Sequence, residues 1–156
     1  MSKRPDESAI EMNELVLPND TNLLGNLLGG RLLHWVDIAG AMAAQRHSNS
    51  VVATVAIDNV DFRTPVKVGN IVNLKARVTW VGRTSMEVIV EVHAENYLTG
   101  EIKATNKAYL TFVAVDPEGK PLPVPGLIIE TPEEKHDYEE AQCRRKNRLE
   151  RKSFCT

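Results

Sequence analysis

Two cysteines in 156 residues leave this chain little covalent chemistry of its own. Cys143 and Cys155 both lie in the charged C-terminal stretch, away from any Cys/His cluster with zinc spacing, so neither a structural disulfide nor a metal site is expected. Long apolar runs are missing as well. Nowhere do 18 apolar residues stand together, and the opening "MSKRPDESAIEMNELVLPND" has no apolar core of the signal-peptide kind, so a soluble, cytoplasmic protein with no membrane partner is expected. An excess of one charge is also lacking: 19 Lys and Arg face 21 Asp and Glu, for a net charge of −2. That balance gives no electrostatic footprint for nucleic acid, and any anion must be met by a local cluster. No G-x-S-x-G elbow occurs, which removes the usual serine-hydrolase reading. There is no internal repeat and no low-complexity tract.

What is present is enough apolar material, 42% of residues, for one well-cored domain. Residues 1–10 are polar and expected to be flexible, 11–128 carry the patterned domain, and 129–156 form a charged tail. "MNELVLPND" (12–20) reads as a short strand stopped by Pro18 and Asn19-Asp20. Gly29-Gly30 give a low-bulk start to a helix over about 30–46, whose apolar residues Leu32, Leu33, Val36, Ala39, Gly40, Ala43 and Ala44 cover nearly all of its circumference, so it is expected to be buried.

From residue 51 the period changes to two. "VVATVAIDNVDF" (51–62) is rich in Val and Ile. In 71–81, Val72, Leu74, Ala76, Val78 and Trp80 alternate with Asn73, Lys75, Arg77 and Thr79; the same alternation runs through 86–95 and 102–114. Turns fall at 64–70, 81–85 and 98–100. Short connections make neighbouring strands antiparallel, so the expected class is α+β, one long helix on one face of a twisted five-stranded sheet. Thr131-Pro132-Glu133-Glu134 has capping-box spacing, and the acids of 133–140 followed by bases to 152 match a helix macrodipole, predicting a C-terminal helix. The plain reading of that helix is a solvated tail; a contact helix or a phosphate-binding arm are its alternatives. His47, at the end of the long helix, most simply complements the dipole, and His93 and His136 should be exposed.

Within the long helix stands a carboxylate. Asp37 has Leu33, Gly40, Ala41 and Ala44 as helical neighbours, small and apolar groups that would disfavour its charge if it is buried. Leaving such a carboxylate unpaired costs several kcal/mol, on the order of the effective penalty for a buried ion. An ordinary explanation is pairing with His34 or with an arginine across a dimer.

The three stretches "LPNDTNLLGNLLGGRLLHWVDIAGAMAAQRH", "VDFRTPVKVGNIVNLKARVTWVGRTSMEV" and "AYLTFVAVDPEGKPLPVP" resemble, in register, the hotdog-fold acyl-CoA thioesterases, in the branch of the cytosolic acyl-CoA hydrolases. The resemblance covers about residues 12–125. It implies a hotdog fold, with a central helix wrapped by the five-stranded antiparallel sheet. It also implies hydrolysis of fatty acyl-CoA to free fatty acid and coenzyme A. No cofactor is implied, since coenzyme A is part of the substrate. Protomers are expected to pair sheet edge to sheet edge with the substrate between them, and dimers to assemble as a trimer of dimers. The family's catalytic pair, an Asn or Asp before the glycines and an acid in the helix from opposing subunits, falls on Asn26 and Asp37. Leu28 and His34-Trp35 depart from the family pattern, which touches acyl-chain preference rather than chemistry.

On that reading, Asp37 is base or nucleophile and Asn26 orients water or the thioester, although a capping or turn role is the common use of such an Asn. Gly30, with Gly29, exposes helix N–H groups without intrahelical partners as an oxyanion site, worth roughly 2.7–4 kcal/mol per good donor. Arg63, Thr64 and Lys67, with Arg83, Thr84 and Ser85, are the candidates for binding the coenzyme A phosphates, and solvated surface positions are their ordinary alternative. The competing functions are a non-catalytic acyl-CoA-sensing module, and a dehydratase, for which only His34 is available as the histidine.

Overall fold

The structure, a computed structural model, describes residues 1–58, 60 and 64–154. In chain order the elements are β1 (Ser2–Lys3), α1 (Pro5–Ser8), β2 (Ile10–Leu15), a 3-10 turn (Pro18–Asp20), α2 (Gly29–Ser48), β3 (Val51–Asp58), β4 (Ile71–Val81), β5 (Ser85–Glu95), β6 (Ile102–Val115), β7 (Gly126–Leu127) and α3 (Pro132–Phe154). The five long strands form one antiparallel sheet, as the period-two pattern and short turns predict, in the order β2-β4-β5-β6-β3; β3 departs from the expected pairing of chain neighbours by lying against β6 and not β4.

Helix α2 lies across one face of this sheet. Leu28, extended, precedes it without a side-chain cap, and Asn49 in the left-handed conformation (φ 54°) ends it, returning its N–H to Gln45 O at 2.7 Å. The buried set Leu32, Trp35, Val36, Ala39, Gly40, Ala43, Ala44 and His47 recurs every three or four residues. Burial is therefore confined to one stripe, not the whole circumference: Arg31, His34, Ile38, Gln45 and Arg46 are exposed. The stripe is made of small residues, so the helix approaches closely; a Cβ on Gly40 would lie 3.2 Å from the Phe112 ring. Facing it are Val72, Leu74, Ala76 and Val78, Val88, Val90 and Val92, and Ala108, Leu110, Phe112 and Ala114.

The outer face is not left to solvent. Helix α3 begins with the expected capping box, Glu134 N–H donating to Thr131 Oγ1 and Thr131 N–H to Glu134 Oε1, both at 3.1 Å. It then docks on the sheet instead of projecting as a solvated tail. Arg144 donates to both oxygens of Glu87, at 2.9 and 2.8 Å, and stacks 3.6 Å over the Tyr109 ring; Thr79 donates to the same carboxylate at 2.6 Å. Arg77 bridges Glu91 and Asp137. This cover explains why Met86–Val90 of β5 is buried on both faces.

The first residues also take up regular structure. β1 pairs in parallel with β7, and Lys3 Nζ donates to Arg46 O at 2.7 Å and Asn49 Oδ1 at 2.6 Å, which satisfies the C-terminal end of α2. With that end already served by Lys3, His47 has a different job. It is fully buried, and its Nε2 lies 2.8 Å from Pro125 O. A carbonyl can only accept, so the ring donates from Nε2; burial pushes its pKa down against the pull of that hydrogen bond. His93 departs from expectation too, being half-buried; His136 is exposed as expected.

Two outcomes are expected. Arg144→Ala strands the buried Glu87 carboxylate and should cost about 3–5 kcal/mol in urea unfolding, most of it recovered in the double variant Glu87→Met, Arg144→Met. For His47, the unfolded chain takes up a proton below about pH 6.5 while the folded state resists it. The parent should therefore hold its full stability above that pH and lose it as pH falls towards the lowered folded pKa. His47→Gln, measured by thermal melts from pH 7.5 to 5, should flatten that dependence.

Candidate functional site

The loop ahead of α2 is shaped by Asn22. Its Oδ1 accepts the N–H groups of Leu24 (2.9 Å) and Asn26 (3.2 Å), and its N–H returns to Asn26 O. Gly25, at φ 76°, allows the tight reversal. The loop is then stitched to 66–68 by Leu27 N–H to Val66 O at 2.7 Å and Val68 N–H to Gly25 O at 2.9 Å, with a backbone bridge between Asn26 and Lys67. Asp20, 7% exposed, fixes the approach by accepting Leu17 N–H and pairing with Arg31 at 3.2 Å.

Between this loop and the sheet lies a cleft of about 250 Å³, whose walls include Asn22, Asn26, Gly29, Thr64 and Asn106. Three polar atoms at this cleft, Asn26 Oδ1 and both Oδ1 and Nδ2 of Asn106, are buried without a partner. The N–H groups of Gly29, Gly30 and Arg31 open the helix, where no intrahelical acceptor precedes them and Leu28 offers no side-chain cap. A Cβ on Gly30 would meet nothing within 4 Å, so a ligand can approach the backbone there.

Asp37 is elsewhere. It lies eight residues beyond Gly29, about 12 Å along the helix at 1.5 Å per residue, where α2 crosses the edge strand β3. It is half-buried, not sealed, and its Oδ1 accepts the Thr54 hydroxyl at 2.8 Å; no bond to His34 occurs. Just past Thr54 the β3–β6 register shifts at a bulge before Ala56, a device that re-aims side chains at a sheet edge.

Strand register measures the separation. Thr54 pairs with Phe112, which pairs with Met86, while Asn106 pairs with Val92. Six residues of β5 divide the two places, about 20 Å at 3.3 Å per residue. The Arg83–Ser85 turn belongs to the Asp37 end; its backbone is tied to the chain exit by Val124 N–H to Arg83 O and Ala114 N–H to Thr84 O. Thr64 and Lys67 belong to the other end, and Arg63 lies outside the described residues. One protomer thus gathers Asn26, Gly30, Thr64 and Lys67, and separately Asp37 with Arg83, Thr84 and Ser85, but does not bring the two groups together. Sequence reasoning passed over Thr54, Asn22 and Asn106. Among the described residues there is no cluster of His, Cys, Asp or Glu fit to hold a metal.

The thioesterase superfamily model matches residues 24–100. A Bacillus subtilis protein named as an uncharacterized acyl-CoA thioester hydrolase is 42% identical over 128 residues, 82% of this chain and 74% of that protein. A crystal structure of an apo-hexameric acyl-CoA thioesterase superposes with a TM-score of 0.92 at 47% identity, covering 96% of each chain. An acyl-CoA hydrolase of Staphylococcus aureus, solved with butyryl coenzyme A and coenzyme A, gives a TM-score of 0.91 at 36% identity over 99% of this chain and 94% of that one. The same enzyme has been solved as three alanine variants: of an asparagine, of an aspartate fifteen residues further along, and of a threonine seventeen beyond that.

Proposed function

Because the chain belongs to the thioesterase superfamily, we propose that it hydrolyses acyl-CoA to free fatty acid and coenzyme A, at a site completed by a second copy of itself. The observation that carries this is the Asp37–Thr54 pair at the free sheet edge. Asn22, Asp37 and Thr54 stand at the same intervals, fifteen and seventeen residues, as the three positions replaced in the staphylococcal enzyme. That spacing supports Asn22 alongside Asn26 as the asparagine of the site.

Among the described residues β3 pairs only with β6, leaving a row of unpaired backbone groups with Val51 and Val55 63% and 50% exposed. Such an edge invites a partner strand. A two-fold axis that pairs β3 antiparallel with its counterpart reverses one protomer against the other. The Asp37 end of each then meets the cleft end of its mate, which joins the two separated groups twice per dimer. The hexameric relatives are consistent with further assembly of such dimers as a trimer.

The chemistry follows from the groups assembled. Thr54 holds one carboxylate oxygen of Asp37, leaving Oδ2 to take a proton from water or to attack the carbonyl carbon itself. The oxygen that gains negative charge is met by the free N–H groups at Gly29 and Gly30. Asn22, whose Oδ1 is occupied by the loop, has its Nδ2 left to donate to the same oxygen, while Asn26 Oδ1 is an acceptor for the attacking water. Collapse breaks the carbon–sulfur bond and releases the coenzyme A thiolate, which takes up a proton; where Asp37 itself attacks, water then cleaves the acyl–aspartyl anhydride, freeing the fatty acid and restoring the carboxylate. Lys67 and Arg83, from the two ends, provide cations for the coenzyme A phosphates.

The test is release of free thiol from acyl-CoA substrates of graded chain length, read with a thiol-reactive dye. Asp37→Asn should lower kcat about 10²–10⁴-fold, and Asn22→Ala and Thr54→Ala should lower turnover less. Should Asp37→Asn stay folded, bind coenzyme A and turn over as fast as the parent, the assignment is wrong.

A further inference from the structure

The cleft beside α2 contains a side chain that the proposed chemistry does not use. Asn106, on β6, is half-buried as a residue, yet both its Oδ1 and Nδ2 are buried without a partner. A single orphaned polar atom in an interior costs about 1–3 kcal/mol, so a carboxamide with both ends unserved is expensive unless something arrives to serve it. Its position is not accidental to the fold. Asn106 is paired with Val92 at the point where the β5–β6 register shifts before His93, and an irregularity of that kind re-aims a side chain relative to the regular alternation. It lines the same cleft as Asn26 and Gly29, and rotation about χ2, a soft torsion, turns either end of the carboxamide towards it.

The chemical class of a partner follows from the donor and acceptor atoms on offer. Asn106 presents one unserved donor and one unserved acceptor, and Asn26 Oδ1 a further acceptor. A thioester has acceptors only and would serve Nδ2 alone. A water would serve each atom but confers no selection among substrates. Two secondary amides in series offer, on one side of an extended arm, an N–H from one and a C=O from the next, which together match both ends of a carboxamide. Resting on the reading of the protein as an acyl-CoA hydrolase, we propose that Asn106 binds the two secondary amides of the substrate's pantetheine arm, an N–H of one and a C=O of the other, and so selects coenzyme A thioesters over simple ones.

Coenzyme A, which has the arm, and adenosine 3′,5′-bisphosphate, which lacks it, are titrated by calorimetry into the full-length parent, Asn106→Leu and Asn106→Asp. Thermal melts accompany each variant; Asn106→Leu should melt no lower than the parent, because it removes two orphaned atoms. Coenzyme A should bind Asn106→Leu about ten-fold more weakly, with the bisphosphate unchanged. In hydrolysis, the variant should lose kcat/KM through KM on acyl-CoA and lose nothing on the S-acyl ester of 2-mercaptoethanol, which has no amide. If the parent hydrolyses acyl-CoA but Asn106→Leu binds coenzyme A equally well, or loses equally on both thioesters, the amide assignment is overturned and the hydrolase reading stands. If the parent neither binds coenzyme A nor cleaves any thioester, both fall.

Discussion

The close seat of α2 on the sheet is the constraint from which the other features follow. Ala39, Gly40, Ala43 and Ala44 let the helix backbone sink towards Phe112 and Leu110, and interiors packed at that density tolerate few shifts. A helix so fixed has a fixed first turn, so the N–H groups at Gly29 and Gly30 are aimed before any ligand arrives. The same rigidity carries Asp37 to the rim of β3, where Thr54 completes its orientation. Fixed N–H groups and a fixed carboxylate are what the proposed hydrolysis asks of the chain.

Rigidity also sets the division of labour. With about 20 Å between the two groups of polar side chains, no rotamer change within one chain can bring them together. The proposed pairing of two copies at the β3 edge would bring them together. Half-burial of Asp37 fits the same logic: the carboxylate meets solvent in the lone protomer, and its drying falls to whatever covers β3. The orphaned atoms of Asn26 and Asn106 on the cleft wall are the counterpart, polar groups left to pair with what enters the cleft.

The backbone plan was legible because each strand and the long helix keep one period for a whole element: Val72, Leu74, Ala76 and Val78 announce β4, and Leu32, Val36, Ala39 and Ala43 announce α2. Thr131 and Glu134 announced their own cap. Other features were hidden for identifiable reasons. Thr54 looks like any β-branched residue in a Val-rich strand, and only the bulge beside it gives it a role. Asn106 is masked by a register shift that sequence alternation does not reveal. Asn22 was passed over because Asn26 stands nearer the glycines. His47 resembled a dipole partner, yet Lys3, forty-four residues earlier in the chain, took that job and left the imidazole to the interior. The docking of α3 was obscured by its charge, since Arg144 and Glu87 are polar residues that become core only through each other.

That docking also limits what the outside of the sheet can do. The Arg144 guanidinium, sandwiched between Glu87 and Tyr109, spreads the terminal helix over the middle strands like a strap. Two such sheets cannot stack back to back there, because each already wears its own chain. Larger architectures must grow sideways from bare rims or through exposed helix flanks, so the tail acts as a steric veto on lamellar growth while leaving lateral growth open.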